Sequence, residues 1–345
     1  MTLHEFVLPA EDIGSQQELC RADVPAVSVI IPLYNKAPYI KRALDSVLAQ
    51  TVQDFEVVVV NDGSTDGGEK IVEGYTNPRI RLINQENQGV SAARNHGVDA
   101  ARAELVAFLD ADDEWLPEFL ETILRLREKW PEAGLYGTGY ETIFPGNHHV
   151  ARVWLPGDGE RAITDYFQDM LNAKSVLFNS SSFATVKNIF YLVGRYPLGV
   201  KWNEDGTLWG KIALSYFVAY SPTVQSRYYQ YSQNSSQALI SEYLVNPFSK
   251  YILSLPKYNL ENYKNYDSLM CYVNYGEIAA LSRNVINGYG KRVRKDLTTI
   301  PNEHKRVKIK IYLLSYIPKI CWTLIIRYSK QLSNIKWVVK NNTSK

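Results

Sequence analysis

FEVVVVNDGSTDGG, residues 55–68, joins an unbroken apolar run to a loop of acidic and turn-forming residues. Val57-Val58-Val59-Val60 carries no polar interruption, the pattern of a strand covered on both faces. Asn61, Asp62, Gly63, Ser64, Asp66 and Gly67 follow at once, and residues of these types tolerate or cap tight turns. A doubly covered strand that ends in such a loop predicts one repeat of a parallel, helix-flanked sheet.

The flanking sequence continues the pattern. Strands are predicted at Val27–Ile31, Phe55–Val60, Arg79–Ile83 and Leu105–Leu109. Helices are predicted between them at Pro38–Gln50, Gly67–Tyr75 and Val90–Ala101, and after them at Pro117–Trp130. This alternation implies an α/β fold with a mostly parallel, doubly wound sheet. Ligands bind such sheets at the carboxyl ends of the strands. Those ends read Pro32-Leu33-Tyr34-Asn35, then Asn61-Asp62 with its loop, then Asp110-Ala111-Asp112-Asp113. Carboxylates gathered on one rim are costly unless a cation or polar ligand shares the space. From Tyr140 to about Gln237 the alternation weakens and tyrosines increase, while Asp267–Asn287 reads as a helix. The expected organisation is a lead-in over 1–24, a catalytic domain over 25–235 and a mainly helical, basic extension over 236–345.

The 345 residues are 46% hydrophobic and 21% charged, a globular composition. Cys20, Cys271 and Cys321 form no CxxC pair, which argues against a disulfide framework or zinc site and fits a reducing compartment. No signal-peptide pattern opens the chain, and no stretch reaches the roughly 18 to 20 apolar residues of a membrane span. Ile309–Ile326 comes nearest but is broken by Lys310, Pro318 and Lys319. The net charge of +2 hides an asymmetry: residues 291–345 hold 14 Lys and Arg against Asp296 and Glu303. The acidic remainder disfavours nucleic acid as a partner.

Asp110 and Asp112 leave an apolar strand two residues apart, where a turn can aim both at one ligand. A hard cation such as Mg²⁺ or Mn²⁺ takes oxygen ligands and commonly completes its shell with water and substrate phosphates. The alternative is a solvated turn with a helix N-cap, Asp112-Asp113-Glu114 before Trp115-Leu116-Pro117. Asp62 offers an acceptor for a nucleobase N–H, with Asn61 or Ser64 supporting its loop; a strand-to-helix turn capped by Ser64 or Asp66 is the alternative. Asp205, in Trp202-Asn203-Glu204-Asp205 before the helical run Gly206–Leu214, is the candidate general base for a hydroxyl nucleophile. It would otherwise serve as a helix cap. Arg94 is placed to approach a base or phosphates; a surface or salt-bridged arginine is the alternative. Arg227 and the polar run 232–236 would reach a diphosphate or acceptor, or serve as strand-edge residues. His96 reads as a helix-surface residue, and His148 and His149 lack metal-ligand spacing.

Taken in order, VSVIIPLYN (27–35), VVVVNDGSTD (57–66), NQGVSAARN (87–95), LVAFLDADD (105–113) and WNEDGTLW (202–209) closely resemble family 2 glycosyltransferases of the GT-A fold. The resemblance covers roughly residues 25 to 235. It implies that Asp62 binds the nucleobase, Pro32 and Tyr34 line its pocket with Asn35 beside them, and Asp110 lies near the ribose. It also implies that Asp112 holds Mg²⁺ or Mn²⁺ on the diphosphate and that Asp205 is the base of an inverting, single-displacement transfer. Arg195-Tyr196 departs from the second glycine and Phe common in relatives, which should reshape packing near the acceptor. Gln225-Ser226-Arg227-Tyr228 does not fit QxxRW, so a processive synthase is not expected. The implied partners are a nucleotide-sugar, a UDP-sugar first, and a saccharide or lipid-linked saccharide acceptor in bacterial capsule, O-antigen or exopolysaccharide assembly.

HKRVKIKIYLLSYIPKICWTLIIRYSK (304–330) mixes lysines with Ile, Leu, Trp and Tyr. Basic and aromatic residues of this kind favour an anionic interface, so cytoplasmic residence with peripheral contact at the inner face of the membrane is expected. A helix packed on protein is the alternative. A different function class, a non-catalytic nucleotide-sugar binder or scaffold, is disfavoured because Asp62, Asp112 and Asp205 are retained together. A dehydrogenase is disfavoured because no GxGxxG follows the first strand.

Overall fold

Val27–Leu33 (β1) forms the centre of the sheet because Val27, Val29, Ile31 and Leu33 face one helical layer while Ile30 faces the other. The computed structural model describes residues 24–144, 148–152, 159–173, 176–230, 244–256, 260–299 and 305–317. After β1 come α1 (Ala37–Leu48), β2 (Phe55–Asp62), α2 (Gly68–Glu73), β3 (Ile80–Gln85), α3 (Val90–Ala100) and β4 (Leu105–Phe108). Then follow β5 (Glu114–Trp115), α4 (Phe119–Lys129), β6 (Leu135–Phe144), β7 (His148–Arg152), β8 (Arg161–Ile163) and α5 (Tyr166–Asn172). β9 (Phe183–Val186), α6 (Lys187–Leu192), α7 (Glu204–Ala213) and β10 (Val218–Tyr229) complete the sheet-bearing part.

Ile40, Leu44 and Val47 fall at helical spacing on α1 and pack with Val57, Val59 and the outward β1 residues in one fully buried cluster. Burying each such side chain contributes roughly 1.5–3 kcal/mol. On the opposite face α3 lies directly on β1, since a Cβ added at Gly97 would stand 2.4 Å from Ile30 Cγ2. That close approach carries the side chains of Arg94 and Asn95 into the interior.

The strand order is β3-β2-β1-β4-β9-β6-β10-β5, with β7 beside β6 and β8 beside β10. β3, β2, β1 and β4 are parallel, so the ends of β1, β2 and β4 share one rim. β9 runs antiparallel to β4, pairing Ala107 with Ala184 and Leu105 with Val186. The turn that precedes β9 is thereby delivered to the same rim. β10 is parallel to β6 and pairs Ser226 and Arg227 with Trp115 and Glu114 of β5, adding its own C-terminal end.

The predicted parallel strands and their helices are present with boundaries moved by a few residues. Contrary to the alternative reading of this turn, Asp112-Asp113-Glu114 does not open a helix. Glu114 enters β5, and α4 begins at Phe119.

The described residues fall into two compact units. The first contains the sheet, drawn from residues up to 239 together with Leu255–Leu269, so that this segment goes with the sheet rather than with the extension. Within it, Ser268 Oγ meets both oxygens of Asp165, and Tyr263 OH donates to Ala213 O. The second unit, from 240–254 and from 270 onward, is helical and centred on Leu281, Val285, Val293, Leu297 and Ile311. Its buried Asn284 closes the backbone of Leu244 from both sides, accepting from N and donating to O at 2.7 Å each. The lead-in up to residue 23, the run 232–236 and residues 318–345 lie outside the described residues.

Candidate functional site

Pro32, Tyr34, Asn35, Asp62, Asp110 and Asp112 lie at the C-terminal ends of β1, β2 and β4, and long-range hydrogen bonds tie these loops together. Asn35 takes a left-handed conformation (φ 50°) just past β1. Its backbone N–H donates to Ser64 Oγ at 3.1 Å and its Oδ1 accepts from Thr65 N at 2.8 Å. Asn61 Oδ1 accepts from Ser64 N, so Asn61 supports the loop as anticipated. Asp66 is the residue that serves the adjoining helices, accepting from Ala37 N and Gly68 N. Pro32 is partly buried in the last turns of β1, and Tyr34 is exposed beside it.

Asp62 is only 2% exposed. Its Oδ1 accepts from Gln85 Nε2 (2.7 Å) and Gln88 N (2.9 Å), and its Oδ2 from Gly89 N (2.9 Å). Register explains the first contact, because Asp62 and Gln85 are paired across β2 and β3. A carboxylate has about four lone-pair sites, so one acceptor position remains after these three donors. A cleft of about 470 Å³ is lined in part by two of these partners, Gln85 and Gln88, with Ala92, His96 and Tyr196, but not by Asp62 itself. His96 contacts Gln85 Oε1 through Nδ1 on the exposed face of α3.

The turn after β4 separates its three carboxylates. Asp110 Oδ1 accepts from Arg94 Nη2 at 2.8 Å. Asp112 Oδ2 accepts from Lys36 Nζ at 2.6 Å, and its backbone carbonyl accepts from Arg42 Nη2. Asp113 is buried and held by neutral donors, Ser181 Oγ at 2.5 Å and Tyr229 N at 3.1 Å. Burial, followed by the charges of Asp112 and Asp110, pushes the Asp113 carboxyl well above the usual carboxylate range.

Arg94 is the hub. Of its two readings the salt-bridged one is seen: the guanidinium is 2% exposed and committed to carboxylates. Nη1 stands 3.0 Å from Asp205 Oδ1 and 3.4 Å from Glu204 Oε1, while Nη2 holds Asp110. Burial opposes its charge, but Asp205 and Asp110 outweigh that penalty and hold its pKa well above the ordinary arginine value. The Tyr196 ring lies 5.1 Å from the guanidinium carbon, and the Tyr196 backbone is clamped by both ends of the Asn95 amide.

Asp205 sits in the first turn of α7 and does not cap it; the cap position is Asn203, in a left-handed conformation. Gly206 lies next to it, and a Cβ there would stand 2.2 Å from Asn203 Oδ1, so a larger residue would have to displace the Asn203 side chain. The second Asp205 oxygen accepts from Ser180 Oγ at 2.6 Å. Burial, then the neighbouring Asp205 charge, pushes the Glu204 carboxyl up to about 7.

Sequence reasoning overlooked Lys36 and the turn Asn179-Ser180-Ser181-Ser182. Ser181 binds Asp113 through its hydroxyl and Asp110 through the backbone N–H that its Oγ accepts, and its carbonyl accepts Trp115 Nε1. The run of serines was itself a signal, being hydroxyl-rich directly before a strand. Arg227 is turned to Glu141 (2.6 Å) and Glu114 (3.4 Å) and so braces β10 to its neighbours. The side chains of His148 and His149 lie outside the description. Among the described residues, no group of three or more His, Cys, Asp or Glu side chains is arranged to hold a metal ion.

Residues 28–188 match the family model described as Glycosyl transferase family 2. The chain is 47% identical over 92 residues to the uncharacterized glycosyltransferase EpsJ of Bacillus subtilis (strain 168), covering 26% of this chain and 27% of that protein. It is 38% identical over 125 residues to the hyaluronan synthase of Pasteurella multocida, covering 36% of this chain and 12% of the synthase. The chain thus spans less than a third of the length of the curated relatives it matches first. A crystal structure of S. aureus TarS 1–349 in complex with UDP-GlcNAc superposes with a TM-score of 0.58 at 20% identity, covering 83% of this chain and 89% of that one. At that identity the likeness is one of fold. The chain carries a family 2 glycosyltransferase region on a GT-A fold.

Proposed function

We propose that the protein transfers a sugar from a nucleotide-diphosphate donor, a UDP-sugar first, to a hydroxyl acceptor, with inversion. The observation that carries this reading is the convergence of Asp110 and Asp205, 95 positions apart in the chain, on the single guanidinium of Arg94. Asp112 and Asp62 stand on the same rim. Carboxylates spread over the end of β2, the turn after β4 and the first turn of α7 suit a substrate that brings both a diphosphate and an acceptor hydroxyl.

In this reading Asp62 uses its remaining lone pair for the nucleobase, between Pro32 and Tyr34, and Asp110 stands toward the ribose. Asp205 accepts the proton of the acceptor hydroxyl as its oxygen attacks the anomeric carbon. Both Asp205 oxygens already hold donors, which fix the direction of the carboxylate. Arg94 acts through these carboxylates rather than on the phosphates. Asp112 is the residue that would hold Mg²⁺ or Mn²⁺. Its oxygen-only chemistry fits, its carboxylate already accommodates the cationic Lys36, and such ions need only one or two carboxylates beside substrate phosphates. A bound ion would neutralise charge developing on the nucleoside diphosphate leaving group.

Assembly of bacterial surface polysaccharide is the proposed setting. Peripheral contact with an anionic membrane is supported by Ile309, Tyr312, Leu313 and Tyr316, all exposed at helical spacing in the basic segment. No helix among the described residues is long and apolar enough to cross a membrane. The test of the activity is nucleoside diphosphate release across a panel of nucleotide-sugars and acceptors, with and without Mn²⁺. Donor binding without turnover on any acceptor would favour the non-catalytic binder.

A further inference from the structure

We infer that Lys36 is an internal counter-ion for Asp112 and that a divalent cation must displace it. The inference rests on the proposed role of Asp112. Lys36 Nζ lies 2.6 Å from Asp112 Oδ2, with side chains only 14% and 16% exposed, so the ammonium stands where a cation on that oxygen would stand.

The surroundings make the pair more than a surface contact. Asp110, Asp112 and Asp113 crowd into four consecutive positions. Asp110 has Arg94, and Asp113 has the neutral donors Ser181 and Tyr229 N. Among the described residues, Asp112 has Lys36 as its side-chain cation. An unpaired carboxylate at this level of burial beside two others is strongly unfavourable. Lys36 therefore holds the turn together before donor and ion arrive.

The lysine is also built to leave. Its backbone is fixed, because Asn35 on one side is tied to Ser64 and Thr65 and Lys36 O accepts from Tyr39 N and Ile40 N at the start of α1. A lysine carries its charge on a four-carbon stem with many rotamers, and an ammonium is a compact charge with no geometric demand on its partner. The Tyr39 ring, with its centroid 6.0 Å from Nζ, offers the displaced charge an aromatic face. Arg42, which holds the Asp112 carbonyl and stacks on Tyr229 at 3.5 Å, keeps the turn in place during the exchange.

The test is Mn²⁺ binding followed by electron paramagnetic resonance of the free ion, in the full chain, at saturating uridine diphosphate. Lys36→Met and Lys36→Gln should bind Mn²⁺ about tenfold more tightly than the parent, because the competing charge is gone. Lys36→Arg, which keeps the charge, should remain within about twofold of the parent. Unchanged or weaker Mn²⁺ binding in both neutral variants, with cooperative thermal unfolding retained, would overturn the inference. Asp112→Asn separates the two layers of the argument. If it binds Mn²⁺ as the parent does, the metal role of Asp112 fails; if it loses Mn²⁺ while the lysine variants do not change, only the counter-ion role fails.

Discussion

Arg94 Nη1 lies 3.0 Å from Asp205 Oδ1, across 111 positions of sequence, and this ion pair joins α3 to the start of α7 inside the protein. The same guanidinium holds Asp110 at 2.8 Å. Arg94→Met is expected to leave buried carboxylates without their cation and to cost roughly 3–5 kcal/mol of stability, the range for breaking a buried ion pair. Urea unfolding measures this. Arg94→Lys keeps one charge but not the fork, so it should recover part of the stability and little of the transfer. Equal stability of parent and methionine variant would remove Arg94 as the hub.

Asp205→Asn should preserve donor affinity and lose at least 10²-fold in turnover, since only the proton acceptor is removed. Donor binding by calorimetry, read beside single-turnover transfer, makes the distinction. Normal transfer at saturating donor would show that the base lies elsewhere.

Chelation with EDTA should abolish transfer, and Mn²⁺ or Mg²⁺ should restore it in the parent but not in Asp112→Ala. Full activity after exhaustive chelation would refute the ion assignment to Asp112.

Ser180→Ala removes the hydroxyl 2.6 Å from Asp205 Oδ2. Losing one charge-assisted hydrogen bond should lower turnover roughly tenfold with donor affinity unchanged, and Ser180→Thr should restore it. A parallel loss in both variants would mean that Ser180 only supports packing.

Glu204 carries a pH signature. Its carboxyl rises from 4.5 to about 7, so between those values the folded protein binds more protons than the unfolded chain. Stability contributed by this group is complete below about pH 4.5 and is lost as pH rises toward 7. Glu204→Gln should therefore match the parent near pH 4.5 and exceed it by roughly 1–3 kcal/mol at pH 8. A difference that stays flat across this window would contradict the assignment.

The parts of the fold that were legible early share a physical property. Val57–Val60 and the strands beside it are covered on both faces by apolar side chains, so burial writes itself as an uninterrupted run. β6, β9 and β10 were not legible from the same rule. Their buried positions include Thr138, Thr142, Thr185, Ser221, Gln225 and Ser226, which break the apolar pattern although the backbone is as enclosed. The acidic rim residues were legible because turn chemistry and acidity coincide within a few positions of each strand end. Lys36 was not, because a lysine at a helix start is indistinguishable in sequence from a solvated one.

The sequence by itself determined the alternation of strands and helices, the rim on which Asp62, Asp110 and Asp112 fall, and the helical run placed at Gly206–Leu214 just after Asp205. Periodicity and turn preference act over a few residues, so a linear reading contains them. Only the tertiary structure decided who meets whom: Lys36 with Asp112 across 76 positions, Ser181 with Asp113 across 68, Arg94 with Asp205 across 111. These meetings depend on β9 running antiparallel beside β4 and on α3 lying against β1 at Gly97. Strand order and close approach arise from packing the whole chain, which no local stretch encodes alone.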